Sequence, residues 1–223
     1  MNRILCIPIC LVLLLVSGCS IVKVVDSWRA DNAPTLKEKN TLVIARTTNK
    51  KARMAFEEAM AAELRKKGIQ ATESYKHIPE LQPNKKLSEA ELEAAKEKLR
   101  EASFNGVVIT VLKDRKSVLY GGLKEGHSVG TIYRNNYPGY YYDFYGYYNH
   151  PSSYLVSTGV EVEDSFDIKE AVTYVLETLA FNLDEPIEKQ LVARAVATID
   201  EPGSITVMAK PYASKIVSSI KQN

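Results

Sequence analysis

Cysteine and histidine are scarce in this chain, and both shortages exclude common kinds of site. The three cysteines lie at positions 6, 10 and 19, so the rest of the chain holds neither a disulfide framework nor a cysteine-rich metal site. His77, His127 and His150 stand far apart, and none belongs to a His-Glu-x-x-His motif. A Walker phosphate-binding loop and a dinucleotide-binding glycine motif are also absent from the sequence. We therefore expect no metal ion and no cofactor.

One acidic cluster could supply the oxygen ligands that calcium prefers. It comprises Glu161, Glu163, Asp164 and Asp167. Glu161 and Glu163 alternate with apolar residues, as side chains on the solvent side of a strand do. We interpret the cluster as a solvated strand edge followed by a turn.

The chain also lacks a strong excess of either charge. It has 29 basic and 27 acidic residues, a formal net charge of +2. A nucleic-acid-binding domain would show a clustered basic face, so we expect no nucleic-acid partner. The hydrophobic content of 45% is typical of a globular protein.

No apolar run is long enough to cross a bilayer as a helix, which takes ~20 residues. The longest run, Ile4 to Val16, follows Arg3 and precedes the small residues Ser17 and Gly18. A positive residue, a short apolar core and small residues in this order are typical of a cleavable signal peptide.

The four residues Val16-Ser17-Gly18-Cys19 resemble the lipobox of bacterial lipoproteins. The resemblance implies cleavage before Cys19, a diacylglyceryl group on its thiol and acylation of the new amine. Several acyl chains make a membrane anchor durable. In such lipoproteins an Asp after the cysteine favours the inner membrane, so Ser20 implies the outer membrane of a Gram-negative cell, with the body in the periplasm. An uncleaved signal anchor, or a secretory signal with a chance cysteine, remains the alternative.

We divide the chain into a signal peptide (1–18), a lipidated tether (19–39) and a single periplasmic α/β domain (40–223). The tether assignment rests on the lack of clear periodicity in residues 20–39. In the first half of the domain, apolar patterns predict strands at 41–46, 69–75 and 107–112, with helices at 51–67 and from Ser88 onward. Ser88 and Glu91 match a capping box, and Gly68 stands where a C-terminal cap belongs.

Three further strands are expected after a long insertion, at 154–163, 171–183 and 190–199, followed by a helix within 204–221 that Pro211 either starts or kinks. The predicted fold class is thus α/β (α+β): a mixed sheet in the order β-α-β-α-β, then a long insertion, three antiparallel strands and a C-terminal helix. This order, together with lipidation, resembles the α/β module of the penicillin-binding-protein activators and the curli secretion lipoprotein. The resemblance implies a role in assembly or regulation through protein contacts.

Gly126-His127-Ser128-Val129-Gly130 matches the G-x-S-x-G nucleophile elbow of α/β-hydrolases. That chemistry needs a helix directly after the motif, but the residues that follow are β-branched, aromatic and interrupted by Pro138. His150 is the only later histidine, and Asp143 lies too near it to be the triad acid in the expected chain order. We interpret the motif as a glycine-flanked loop and keep a hydrolase using Ser128 as an alternative only.

The insertion at about 121–153 is rich in tyrosine and glycine and has little regular pattern. Connections of this length inside a domain are usually functional or disordered. Tyrosine offers a broad apolar face with a polar tip and loses few rotamers on binding. The candidate partner-binding residues are Tyr137, Tyr140, Tyr141, Tyr142, Tyr145, Tyr147 and Tyr148. Alternatively, these tyrosines form a flap that lies against the domain's own sheet.

These features predict an outer-membrane lipoprotein without enzymatic activity, acting as an interaction module in cell-envelope assembly or maintenance. The expected partner is another envelope protein or a glycan. A structural lipoprotein without a specific ligand is the second alternative beside the hydrolase. Trp28, in the predicted tether, is a candidate for resting at the lipid surface, since tryptophan favours bilayer interfaces. The sequence leaves the oligomeric state open.

Overall fold

A computed structural model describes residues 21–78, 86–120, 142–153, 169–200 and 203–220. In these ranges the chain forms a mixed sheet with helices packed on it, as predicted; the sheet has six strands, and helices cover both of its faces. The strands are β1 (Val22–Arg29), β2 (Asn40–Arg46), β3 (Gln70–Glu73), β4 (Gly106–Tyr120), β5 (Lys169–Asn182) and β6 (Leu191–Asp200). The helices are α1 (Lys50–Lys66), α2 (Ser74–His77), α3 (Glu89–Glu101), α4 (Phe144–Asn149) and α5 (Ile205–Ser219). Short 3-10 helices span Ala33–Glu38, Pro151–Ser153 and Ile187–Lys189.

The sheet has the strand order β1-β6-β5-β4-β2-β3. β2 lies between β3 and β4 and is parallel to both, whereas all pairs from β4 to β1 are antiparallel. The parallel half follows from the two crossover connections, one through α1 and one through α2 and α3, because parallel neighbours need such connections.

Helices cover the two faces of the sheet and create two apolar clusters. α1 and α5 pack on one face, around residues such as Phe56 and Ile216. α3 and α4 pack on the other face, around Leu99 and Phe181. Strands buried on both faces explain the continuous apolar runs in the sequence. Among the helices described here, none has the length and hydropathy that crossing a bilayer requires.

The expectation of an irregular tether at 19–39 is wrong for most of its length. β1 spans Val22–Arg29 and pairs antiparallel with β6, and a 3-10 helix follows at Ala33–Glu38. The register shifts between Val24 and Asp26, so a bulge breaks the two-residue alternation by which strands are recognised. β1 is also an edge strand with one fully buried side chain, Val22, and its apolar signal is correspondingly weak.

The other elements differ from the predictions mainly at their ends. The capping box of α3 is present: the Ser88 hydroxyl accepts from the Glu91 amide, and the Glu91 carboxylate accepts from the Ser88 amide. Pro211 lies inside α5 and does not start it. The predicted strand at 69–75 is shorter, because α2 begins at Ser74. The strand predicted at 154–163 lies outside the described residues.

Gly68 ends α1 in the left-handed region, with φ of 78° and no atom within 4 Å of an added Cβ. We expect Gly68→Ala to lower the free energy of unfolding by about 1 kcal/mol. A side chain in the left-handed region destabilises the folded state by roughly 1–2 kcal/mol. Alanine also reduces the conformational entropy of the unfolded chain, which offsets part of this loss. Gly203→Ala is the matched control, since Gly203 has equal space without the left-handed φ. Urea denaturation measures both, and equal effects of the two substitutions would contradict the assignment.

Candidate functional site

The last third of the tyrosine-rich insertion folds as a short helix against the sheet. Asp143 caps α4, and its carboxylate accepts hydrogen bonds from the amides of Tyr145 (3.1 Å) and Gly146 (2.8 Å). The helix buries Phe144, Tyr147 and Tyr148 almost completely. The Phe144 and Tyr147 rings lie 5.7 and 6.2 Å from the ring of Phe181 on β5. These three side chains belong to the core.

The burial of α4 corrects two of the candidate contact residues. Tyr147 and Tyr148 are 0% and 1% exposed, so neither can touch a partner while the domain is folded. For these two side chains the alternative, packing against the domain's own sheet, is confirmed. The spacing of Phe144, Tyr147 and Tyr148 is the i, i+3, i+4 pattern of a buried helix face. This pattern could have predicted the buried helix from the sequence, but the tyrosine-rich composition made it hard to recognise.

Tyr147 completes a buried network of charges on the α4 face of the sheet. Its hydroxyl donates to Glu177 Oε2 at 3.0 Å, and Arg194 Nε donates to Glu177 Oε1 at 2.6 Å. Lys113 Nζ lies 3.5 Å from Glu177 Oε2, and Arg194 also pairs with Asp26 of β1. Glu177 is 1% exposed, so these donors compensate a carboxylate that is removed from water.

The network has an electrostatic consequence at Lys113. Burial lowers the pKa of its ammonium below the ordinary value, and the attraction of the Glu177 carboxylate opposes that change. Sequence inspection missed the network altogether. The available signal was a charged residue inside an otherwise apolar strand, such as Glu177 in β5 or Arg194 in β6, because charges are seldom buried unless they are paired.

Tyr148 is held by a second buried cation, Arg46 at the end of β2. The Arg46 guanidinium carbon lies 3.8 Å from the centroid of the Tyr148 ring. The same guanidinium donates hydrogen bonds to the Tyr148 carbonyl and to the Ser153 hydroxyl. Arg46 therefore fastens both α4 and the 3-10 helix that follows it to the sheet.

Tyr142 and Tyr145 form the accessible part of the candidate surface. Tyr142 is 43% exposed, and its carbonyl accepts from the Leu191 amide at 3.1 Å. Tyr145 is half-buried, with Lys96 Nζ 5.2 Å from its ring centroid. Burial, together with the carboxylates of Asp143 and Glu93, raises the pKa of Tyr145 to about 12, so its hydroxyl remains a donor at neutral pH. Tyr137, Tyr140 and Tyr141 lie outside the described residues.

A groove of about 460 Å³ lies beside Tyr145, between α3 and the loops that contain Asn105 and Asp184. Its wall combines the Tyr145 ring with charged and amide side chains. The polar members are Glu93, Lys96, Glu97, Arg100, Ser103, Asn105 and Asp184. An aromatic face next to several hydrogen-bonding groups suits a ligand or partner with both apolar and polar surface.

The described ranges do not test the alternative hydrolase assignment. Ser128 and His127 lie outside those ranges. Asp143 and His150 flank opposite ends of α4, roughly 10 Å apart at the helical rise per residue, and the Asp143 carboxylate already caps the helix. Burial, then the charge of Lys113, lowers the pKa of His150.

Of the candidate metal ligands, His77 and His150 fall within the described residues. His77 packs edge-on against Phe104, with ring centroids 5.9 Å apart, and in the described part of the chain no three metal-binding side chains cluster. Glu161, Glu163, Asp164 and Asp167 lie outside it.

Tyr147→Phe distinguishes the core tyrosines from the accessible ones. We expect it to lower the free energy of unfolding by about 1–3 kcal/mol, because the buried Glu177 carboxylate loses one donor while the ring is retained. Tyr142→Phe removes a hydroxyl from an exposed ring and should change stability by less than about 0.5 kcal/mol. Denaturant titrations that rank the two variants in the reverse order would contradict the burial of α4.

No protein-family model and no curated protein sequence matches this chain. Among solved structures it is similar to PelC of Paraburkholderia phytofirmans, which was crystallised as a dodecamer in space group P6. That chain is 10% identical, with a TM-score of 0.40 over 91% of this chain and 97% of PelC. A single-substitution PelC variant, also a dodecamer, gives 12% identity and a TM-score of 0.39 over 91% and 98%. These values are too low to transfer a function or an assembly state.

Proposed function

We propose that this chain is an outer-membrane lipoprotein, anchored through Cys19, whose periplasmic body works without catalysis as an interaction module of the cell envelope. The observation that carries the proposal is the distance along the chain from the lipobox to the fold. β1 begins at Val22, three residues after Cys19, and three residues span at most about 11 Å. With lipid on Cys19, the sheet itself stands at the membrane surface.

Three exposed apolar side chains, in β1 and directly before it, support this placement. Ile21, Val25 and Trp28 are 40%, 59% and 43% exposed, although large apolar residues of this kind are mostly buried in a soluble domain. Tryptophan and aliphatic residues gain at the boundary between lipid headgroups and acyl chains. The edge strand closest to the anchor thus has the composition that rests on a bilayer.

The partner surface of the proposal is the outer part of the tyrosine-rich segment together with the groove beside Tyr145. It comprises Tyr137, Tyr140, Tyr141, Tyr142 and the exposed edge of Tyr145. α4 packs on the sheet, so the rings of Tyr142 and Tyr145 are presented from a rigid support, which reduces the entropy lost on binding. The partner is another envelope protein or a glycan, whose surface combines apolar and hydrogen-bonding groups.

Photocrosslinking in intact cells tests this surface. A photoreactive phenylalanine analogue at Tyr142 is expected to give a discrete adduct, whereas the same analogue at Val207 is expected to give none. Val207 is the matched control because it is 64% exposed and lies on α5, across the sheet from α4. Replacing Tyr137, Tyr140 and Tyr141 by serine should reduce the adduct at position 142 by about tenfold, which corresponds to about 1.4 kcal/mol of binding.

Two results would overturn the assignment. Equal crosslinking from positions 142 and 207 would mean that the tyrosine-rich surface binds nothing specific, as in a structural lipoprotein. A purified protein with esterase activity that Ser128→Ala abolishes would show that the chain is an enzyme. Circular dichroism on the triple serine variant confirms that lost crosslinking does not come from unfolding.

A further inference from the structure

A second cavity lies on the opposite face of the sheet, between the C-terminal ends of α1 and α5. It has a volume of about 200 Å³ and is half-open to solvent. Its walls are apolar and largely buried, with Met60 and Leu64 on one side and Ile216 and Val217 on the other. The sheet forms the floor with Val108, Thr178, Ala180, Val192 and Ala193, and the two alanines leave open the space that larger side chains would fill.

The charged residues that line this cavity are all cations: Arg29, Lys37 and Lys67. Within the described ranges none of the three forms an ion pair with a carboxylate, although eleven other ion-pair contacts are present there. Lys67 is the C-cap of α1 and offsets the negative end of that helix dipole. Arg29 lies at the end of β1 and Lys37 lies in the 3-10 helix that follows, so the helix dipole of α1 does not explain their position.

Among the described residues that line the cavity, the uncharged polar side chain is that of Thr178, and its hydroxyl is already hydrogen-bonded. Thr178 Oγ1 lies 2.8 Å from both the Thr110 and the Tyr212 hydroxyl oxygens. The cavity therefore offers an entering group apolar contact at its base and positive charge at its mouth. A neutral apolar ligand would make no ionic contact with the three cations, and a small inorganic anion would make no contact with the apolar walls.

We propose that this cavity binds a single-chain amphiphile with an anionic head, such as a medium-chain fatty acid. The tail enters between α1 and α5, and the carboxylate stays at the mouth beside Arg29, Lys37 and Lys67. A cavity of ~150 Å³ holds benzene, and sites for drug-sized ligands start near ~300 Å³. The observed volume lies between these two values and matches one short chain better than the paired chains of a phospholipid.

Equilibrium dialysis of radiolabelled octanoate tests the proposal on the full mature protein in nanodiscs of a neutral lipid, with empty nanodiscs subtracted. We expect saturable binding of about one octanoate per chain, competed by unlabelled octanoate. Acetate has the charge without the tail, and octanol has the tail without the charge. Both are expected to compete at least about tenfold more weakly, a difference of about 1.4 kcal/mol.

Charge variants separate headgroup recognition from partitioning into an apolar crevice. Arg29→Gln with Lys37→Gln removes exposed cations at the mouth and should weaken octanoate binding about tenfold, or about 1.4 kcal/mol. Lys50→Gln with Lys51→Gln is the matched control, because these exposed lysines lie at the far end of α1, and it should leave binding unchanged. Ala193→Leu, which fills the floor, should abolish binding.

The proposal is overturned if octanoate does not bind saturably, if octanol competes as well as octanoate, or if both charge variants behave alike. The cavity lies across the sheet from Tyr142, so the result is independent of the envelope-partner proposal. Crosslinking at position 142 can fail while octanoate binds, and the reverse can also occur.

Discussion

Arg194→Met is expected to lower the free energy of unfolding by about 3–5 kcal/mol, since removing one member of a buried ion pair leaves an uncompensated charge. The Glu177 carboxylate, 1% exposed, would keep the Tyr147 hydroxyl and Lys113 but lose its shortest contact, 2.6 Å to Arg194 Nε. Asp26 would lose its partner as well, which loosens β1. Urea denaturation of the full mature protein in mild detergent, followed by circular dichroism, measures the change.

Lys96→Met provides the matched control for this prediction. Lys96 pairs with Glu93 at 2.6 Å, but the Glu93 side chain is 69% exposed. Exposed pairs contribute about 0–1 kcal/mol, so the control should change stability by less than about 1 kcal/mol. If Arg194→Met and Lys96→Met are equally mild, the charge network around Glu177 is not buried as described.

Cys19→Ala is expected to remove the protein from the outer-membrane fraction. The lipobox resemblance implies that Cys19 carries the acyl chains and marks the cleavage point, so the variant should accumulate as an uncleaved precursor. Cys6→Ala and Cys10→Ala are the matched controls, because these thiols lie inside the predicted signal peptide. Sucrose-gradient fractionation with immunoblotting gives both readouts, the membrane fraction and the change in apparent size.

Two outcomes would contradict the role of Cys19. The first is a Cys19→Ala variant that is processed and fractionates like the wild type. The second is equal loss of the protein in all three cysteine variants, which would point to misfolding or degradation of the precursor. Ser20→Asp is a further variant for the same fractionation. The lipobox resemblance implies that this substitution moves the lipoprotein from the outer-membrane fraction to the inner-membrane fraction.

Much of the fold could be predicted from the sequence, because its central elements have strong local signals. The apolar runs of β2 and β4 occur in strands that are covered on both faces, and the Ser88 capping box fixes the start of α3. β1 escaped prediction for two physical reasons. The bulge after Val24 breaks its alternation, and an edge strand with one fully buried residue has little apolar content to detect.

The candidate site was predictable only in part, because tyrosine is equally suited to a core and to a contact surface. The helical spacing of Phe144, Tyr147 and Tyr148 indicates a buried helix face. This spacing can be read from the sequence only after Asp143 is recognised as the cap that starts α4. The buried network is harder still, since its partners Asp26, Glu177 and Arg194 come from strands distant in sequence and adjacent in the sheet. No local pattern encodes that adjacency.

The mass of the mature protein tests the central claim most directly, that the folded body is fixed at a bilayer through Cys19. Intact and peptide mass spectrometry of protein extracted from its native membrane is predicted to show a chain that begins at Cys19 and carries a diacylglyceryl group and an amide-linked acyl chain on that residue. A free Cys19 thiol, or a mature amino terminus at any other residue, would contradict the account.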